Sequence, residues 1–344
     1  MNEPISVVIT CYNLERYIGA AIRSVQTQDY DGEVEIVVVD DGSADGSADV
    51  IRGFPGIRYV RMRSNGGVLL AAMSGIRQSS HDIVAFLDGD DVWHPAKLRR
   101  VQEAFRKDSR IGFVTHDLSY VDALGKNIDR VTRPAHVFKD DAGSAARDRL
   151  LRDGLLGQAD YVWLGSAMTI RRSAVRLDEF LRFAESLADP GNTYQDWPLA
   201  VWCAANSEVR LEYVPKKLFD YRLHGLNHSG DASSTEKALR NIERTINTLV
   251  ACESIISRFG AANDCLIKTR RKRNYFEGLL YLYRGRRLQA WRRLFASAGY
   301  LLGGDADPLK EVARLLGVSA LGYSRFYRAA RWVSRERRLD IQRS

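Results

Sequence analysis

The first ninety residues alternate between short all-apolar runs and longer stretches with helical spacing. Ile5-Ser6-Val7-Val8-Ile9-Thr10, Glu35-Ile36-Val37-Val38-Val39 and Ile83-Val84-Ala85-Phe86-Leu87 have strand length and are apolar on both faces, the pattern of strands buried inside a sheet. Residues 14–27, 47–53 and 67–78 carry their apolar positions at helical spacing. The order β-α-β-α-β-α-β predicts an α/β fold, a mostly parallel sheet wrapped by helices. In such sheets the ligand crevice lies beyond the carboxyl ends of the strands. Each of the three runs ends there in polar residues: Cys11-Tyr12-Asn13, Asp40-Asp41-Gly42-Ser43 and Asp88-Gly89-Asp90-Asp91.

Three carboxylates at one strand end repel each other unless positive charge sits among them. A solvated acidic turn is one reading of Asp88, Asp90 and Asp91. An oxygen-liganded Mg²⁺ or Mn²⁺ shared with a diphosphate is the other, and the two further polar strand ends favour it.

Beyond residue 230 the pattern changes. A small polar stretch, Gly230-Asp231-Ala232-Ser233-Ser234, separates a first domain (1–230) from a helical C-terminal domain (231–344). Residues 239–259 and 265–284 each read as a helix. Arg284-Gly285-Arg286-Arg287 then turns into Ala290-Trp291-Arg292-Arg293-Leu294-Phe295, like one helix-turn-helix unit. A last helix is predicted over 315–338, with Leu321, Tyr323, Phe326, Tyr327 and Trp332 set among arginines.

Charge follows the same division. The 344-residue chain has a formal net charge of +8, but residues 235–344 hold 23 Lys and Arg against 10 Asp and Glu. The first part is therefore net acidic, as suits cation binding, and the second strongly basic, as suits an anionic partner. Aromatics interleaved with arginines fit an anionic membrane surface, or else a bundle helix with a solvated basic face. No nucleic-acid reader motif accompanies them. The four cysteines, Cys11, Cys203, Cys252 and Cys265, form no C-x-x-C pair, which argues for thiols in a reducing compartment. The first strand leaves no room for a leader before Ile5, and no apolar run is long enough to span a bilayer. The expectation is a cytoplasmic protein, peripheral at most on the inner membrane face.

The ordered motifs resemble the family 2 glycosyltransferases. Residues 5–13 resemble the family's first strand and its "(P/T)xYN" turn. Val37-Val38-Val39-Asp40-Asp41-Gly42-Ser43 resembles "VDDGS", Asn65-Gly66-Gly67 resembles "NxG", and Asp88-Gly89-Asp90 resembles the metal-binding "DxD". Gln195-Asp196-Trp197 with Leu199 and Trp202 resembles "ED-x-x-L-x-x-W". Residues 221–229 resemble the closing "YRxHxxNxS". Six motifs in the family's order cover residues 1 to about 230.

The resemblance implies a GT-A fold and inverting transfer of a sugar from a nucleotide-sugar donor to an acceptor hydroxyl, in surface glycan or glycolipid assembly. Asp196 would be the general base, although an aspartate opening a helix also fits an N-cap. Asp88 and Asp90 would hold the cation with His224, which is favoured over His228. Thr10, Tyr12, Asp40, Asp41, Asn65, Asp88 and Gly89 would line the donor site, with Asp40 and Asp41 reading a pyrimidine imide. That favours UDP or dTDP sugars. Asp45 reads as a helix cap. The acceptor, a glycan or a lipid-linked sugar, would meet residues 132–166.

Two positions depart from the family. Ala71-Ala72-Met73 replaces Ala-Arg-Asn, leaving Arg77, Arg222 or the cation to carry the diphosphate. Gln195 replaces the Glu before the base, which should leave Asp196 a lower pKa than an acid pair would. A nucleotidyltransferase would be expected to carry a basic Gly-rich loop after the first strand, and Leu14-Glu15-Arg16-Tyr17-Ile18-Gly19 is not one. A non-catalytic adaptor would leave the acidic motifs unexplained.

Overall fold

The computed structural model describes residues 2–129, 143–157, 165–224, 235–297, 315–316 and 319. The proposed boundary at 230–234, His228, most of the predicted acceptor segment and nearly all of the tail lie outside them.

Strands β1 (Ile5–Cys11), β2 (Val34–Asp40), β3 (Ile57–Arg61) and β4 (Ile83–Asp88) alternate with helices α1 (Ile18–Gln26), α2 (Ser47–Arg52) and α3 (Val68–Gln78). All pairings among these strands are parallel, in the order β3-β2-β1-β4. This is the doubly wound half expected from the hydrophobic pattern. The sheet continues past β4 through β5 (Val92–Trp93), α4 (Lys97–Phe105), β6 (Ile111–Val121), β7 (Asn127–Ile128), α5 (Ser144–Leu156), β8 (Thr169–Arg171), α6 (Arg172–Val175), α7 (Leu177–Glu185), α8 (Asp196–Ala205) and β9 (Arg210–Arg222). Strand β8 joins β4 antiparallel and leads to β6, β9 and β5, so the whole sheet is mixed. Fully buried Ile5, Val7, Ile9, Val38, Ala85 and Leu87 pack on Ile18, Ile22, Leu98 and Val101 to form its main core.

Register does the positioning. Thr10 pairs with Asp88 across β1 and β4, and Cys11 pairs with Asp40 across β1 and β2. The ends of all three motif-bearing strands thus fall in one layer. The N-cap of α2 is Gly46 and not Asp45, whose Oδ1 accepts the Ser47 N–H at 3.0 Å from the residue before the cap.

The chain forms two compact units. Residues 1–230 with Ser254–Cys265 make one, and residues 231–253 with 266–344 make the other. Helices α9 (Thr235–Arg258), α10 (Asn263–Tyr283) and α11 (Arg287–Ala296) match the helical reading of this region. In the second unit Tyr275, Leu279 and Leu282 pack on Ala290 and Leu294, and the α10–α11 turn passes through Gly285 at φ +72°. Among the described residues no helix is long and apolar enough to cross a membrane.

Candidate active site

The turn after β1 and the turn after β2 interlock. Asn13 sits in the left-handed region at φ +53°, from which its N–H donates to Ser43 Oγ and its Oδ1 accepts the Ala44 N–H. Asp40 is fully buried and takes the Ser43 N–H (2.8 Å) and the Tyr59 hydroxyl (2.9 Å), with Arg61 at 3.7 Å. Asp41 accepts the N–H groups of Gly66 (2.6 Å) and Gly67 (2.9 Å). Burial pushes the Asp41 carboxyl up, and those two N–H groups oppose the shift. Both aspartates therefore build turns, a job their motif alone did not reveal. Thr10 is buried, Tyr12 is half-buried beside them and Asn65 is exposed on the next turn.

Glycine is required at two places here. Gly42, at φ +73°, passes so close to Ser64 that a Cβ would lie 2.6 Å from its carbonyl carbon. Gly67, at φ +90°, lies against Gly191, whose carbonyl oxygen would be 1.9 Å from a Cβ. This backbone contact joins the Asn65-Gly66-Gly67 turn to the Pro190–Asn192 turn just ahead of Asp196. Gly89 is buried, with its N–H on the Thr10 carbonyl at 2.9 Å.

Asp88 and Asp196 are brought together by the residue between motifs. Gln195 Nε2 donates to Asp88 Oδ1 at 2.8 Å, and Thr10 Oγ1 lies 3.5 Å from the same oxygen. Burial, then the charges of Asp90 and Asp196, push Asp88 up to about 7. A glutamate at 195 would add a further negative charge there, so the departure from the family motif converts a repulsion into a hydrogen bond. Asp196 is the first residue of α8 and keeps some surface, while its Oδ1 accepts the Trp197 N–H at 2.9 Å. Burial pushes its carboxyl up to about 6. Removing the neighbouring acid therefore does not leave Asp196 an ordinary carboxylate. A small apolar pocket lined by Ala72, Met73, Phe86, Met168 and Leu199 adjoins it, so the missing Ala-Arg-Asn side chains contribute to this desolvation.

On the other side of the "DxD" turn, His224 Nε2 lies 2.9 Å from Asp90 Oδ2, and its ring stacks on Tyr17 at 4.7 Å. Arg222 donates from Nε to the Asp90 carbonyl and sets its guanidinium over Tyr17. Arg77 is spent on a surface pair with Glu185, which leaves Arg222 as the nearer of the two arginines. The donors present are carboxylate oxygens at Asp88 and Asp90 with an imidazole beside them, which suits Mg²⁺ or Mn²⁺ bound by one or two carboxylates and completed by phosphate oxygens. Among the described residues no three of His, Cys, Asp and Glu converge on a single point, so a protein-only cage is not what this site offers.

The third acid of the turn has a different task. Asp91 is buried and accepts from Ser166 Oγ (2.6 Å) and the Arg222 N–H (3.0 Å). Ser166 Oγ also accepts the Asp88 N–H at 3.0 Å. Lys97, fully buried on the face of Trp93, donates its ammonium to the Ser166 carbonyl at 2.5 Å. Burial, then the charges of Asp90 and Asp88, drives the Asp91 pKa up against the hydrogen bonds from Ser166 and the Arg222 N–H, and burial drives the Lys97 pKa down against the charges of Asp91 and Asp88. The sequence assigns no role to Lys97 or Tyr17, each unremarkable in its own segment, and places Ser166 only at the end of the acceptor segment. A lysine on the apolar side of α4, beside Leu98 and Val101, was the available signal. Lys97→Met should destabilise the protein by about 2 kcal/mol in urea unfolding, because it takes the ammonium donor from the buried Ser166 carbonyl. Adding Asp91→Asn should recover part of that loss, and strict additivity of the two variants would refute an electrostatic coupling between Lys97 and Asp91.

The parallel half of the sheet thus carries acidic turns at its carboxyl ends, and Gln195 holds the start of α8, with Asp196, against one of them. Residues 6–153 match the family described as "Glycosyl transferase family 2". An uncharacterized glycosyltransferase of Nostoc sp. (strain PCC 7120) is 39% identical over 243 residues, 68% of this chain and 69% of that protein. The fold is similar to S. aureus TarS residues 1–349 in complex with UDP-GlcNAc (TM-score 0.55, 16% identity, 87% of this chain and 92% of that one). It is also similar to the Pyrobaculum calidifontis mannosyltransferase PcManGT in complex with GDP-Man and Mn²⁺ (TM-score 0.50, 17% identity, 95% and 83% covered). The chain belongs to glycosyltransferase family 2.

Proposed function

We propose that the protein moves a sugar from a UDP- or dTDP-linked donor to an acceptor hydroxyl with inversion, with Asp196 as general base. The observation that carries this reading is the 2.8 Å hydrogen bond from Gln195 to Asp88, which holds the residue before Asp196 against the "DxD" turn. A carboxylate on a helix start, partly exposed and desolvated, is suited to take a proton. In the reaction the acceptor oxygen bonds to the anomeric carbon, the bond from that carbon to the diphosphate oxygen breaks, and the acceptor proton passes to Asp196. Asp88 and Asp90, with His224 alongside, would hold Mg²⁺ or Mn²⁺, which when bound supplies positive charge to the departing diphosphate. Thr10, Tyr12, Asn65 and the Asp40–Asp41 turn would form the nucleotide pocket, with Asp40 and Asp41 shaping it. An acceptor in glycan or glycolipid assembly fits a reaction that needs only a free hydroxyl, and the enzyme would work in the cytoplasm.

Incubation with a panel of UDP, dTDP and GDP sugars, scoring nucleotide release, tests the donor class. Release from purine sugars alone would overturn the pyrimidine assignment, and release from none would overturn the reading. With the productive donor and saturating Mn²⁺, turnover should hold above pH 6 and fall about tenfold per unit below it, as Asp196 takes up its proton. A flat profile between pH 5 and about 7 would exclude a base of this pKa.

A further inference from the structure

Between residues 266 and 297 ten Lys and Arg face a single acid, Glu277. Many of these cations are used internally. Arg273 and Arg293 pair with Glu277 at 2.7 and 2.8 Å, Arg284 pairs with Glu243 at 2.6 Å, and Arg270 pairs with Glu253 at 3.5 Å. Exposed Arg286 and Arg292 have no acidic partner among the described residues. They flank the two large apolar side chains that α11 turns to solvent, Leu288 (87% exposed) and Phe295 (76% exposed).

The helix geometry makes this one surface. Seven residues apart, Leu288 and Phe295 lie within about 20° of each other around the axis, and Arg292 projects between them. Trp291, half-buried, borders the same face with its ring 6.1 Å from Phe295. The core needs neither Leu288 nor Phe295, because α11 packs inward through Ala290 and Leu294, with Trp291 against the same cluster and its indole N–H on Ser319 Oγ at 3.1 Å. We propose that the outward face of α11, with Leu288, Phe295 and Arg292, together with Arg286 in the turn before the helix, docks the protein on an anionic phospholipid surface. Arginines at the rim meet headgroup phosphates while the leucine and phenylalanine enter the boundary of the acyl region. A second copy of the chain is a poorer occupant, since a twofold contact through this face would bring like charges together. Nucleic acid would engage the arginines but gain little from an aliphatic Leu288.

This inference is independent of the transfer chemistry, and its test reads binding alone. Full-length protein is sedimented with vesicles of phosphatidylcholine, with or without about a third phosphatidylglycerol, at about 0.05 and 0.5 M salt. Binding should require the anionic lipid and weaken at least about tenfold in high salt. The double variant Leu288→Gln/Phe295→Gln should weaken it about tenfold or more at low salt, and Arg286→Gln/Arg292→Gln should remove most of the salt dependence. Both variants should keep the wild-type circular dichroism and nucleotide release. Wild-type indifference to anionic vesicles would overturn the proposal, as would unchanged binding by the apolar double variant. It would also fail if that variant instead abolished self-association, or if the face bound duplex DNA in a manner lost only with the arginines.

Discussion

Asp196→Asn should lower turnover by at least about a hundredfold while leaving nucleoside diphosphate affinity at the wild-type value. The substitution keeps the shape of the side chain and the oxygen that accepts the Trp197 N–H, so α8 should start where it does now. It removes the one property the reaction uses, a basic oxygen facing the crevice. A helix cap would behave differently, because asparagine caps about as well as aspartate. Calorimetric titration with the diphosphate and steady-state turnover on the same preparation distinguish the two roles. Normal turnover in the asparagine variant would reduce Asp196 to a structural residue and send the search to another carboxylate.

Asp90→Ala should abolish transfer and the Mn²⁺ dependence of diphosphate binding together. Its carboxylate meets His224 on one side, and its carbonyl is gripped by Arg222 on the other, so the turn keeps its backbone anchor when the side chain is removed. A folded, inactive protein is the expected product. Chelation of the wild type by EDTA should produce the same loss, reversible by Mg²⁺ or Mn²⁺. Full activity in chelator would refute the cation assignment at Asp88 and Asp90 while leaving the Asp196 result standing.

Much of the N-terminal half was legible because its strands are buried on both faces. A run such as Val37-Val38-Val39 between polar turns admits few alternatives. The edge strand Ile57–Arg61, with arginines at 58 and 61, was not named beforehand, since an edge strand is only half apolar. The mixed half of the sheet was equally hidden: β6 and β9 pair in parallel through several register shifts, a long-range fact that no local pattern encodes. At the site, the motifs marked the correct strand ends but not the division of labour. Asp88, Asp90 and Asp91 look alike in the chain. Only the hydroxyl of Ser166 and the N–H of Arg222, both far away in sequence, set Asp91 apart from its neighbours.

The contact between Gly67 and Gly191 has an evolutionary corollary. Each backbone occupies the space that the other residue's side chain would need: a Cβ on Gly191 would lie 2.7 Å from the Gly66 carbonyl, as one on Gly67 would collide with Gly191. Neither turn can accept a bulkier residue or an inserted one without displacing its counterpart, and with it Asp196, five positions downstream of Gly191. The two turns should therefore drift as a linked pair. Among homologues, a lineage that loses glycine at one position is expected to have remodelled the length of the other turn. Independent variation at the two positions in an alignment would show that the junction is more pliable than its geometry implies.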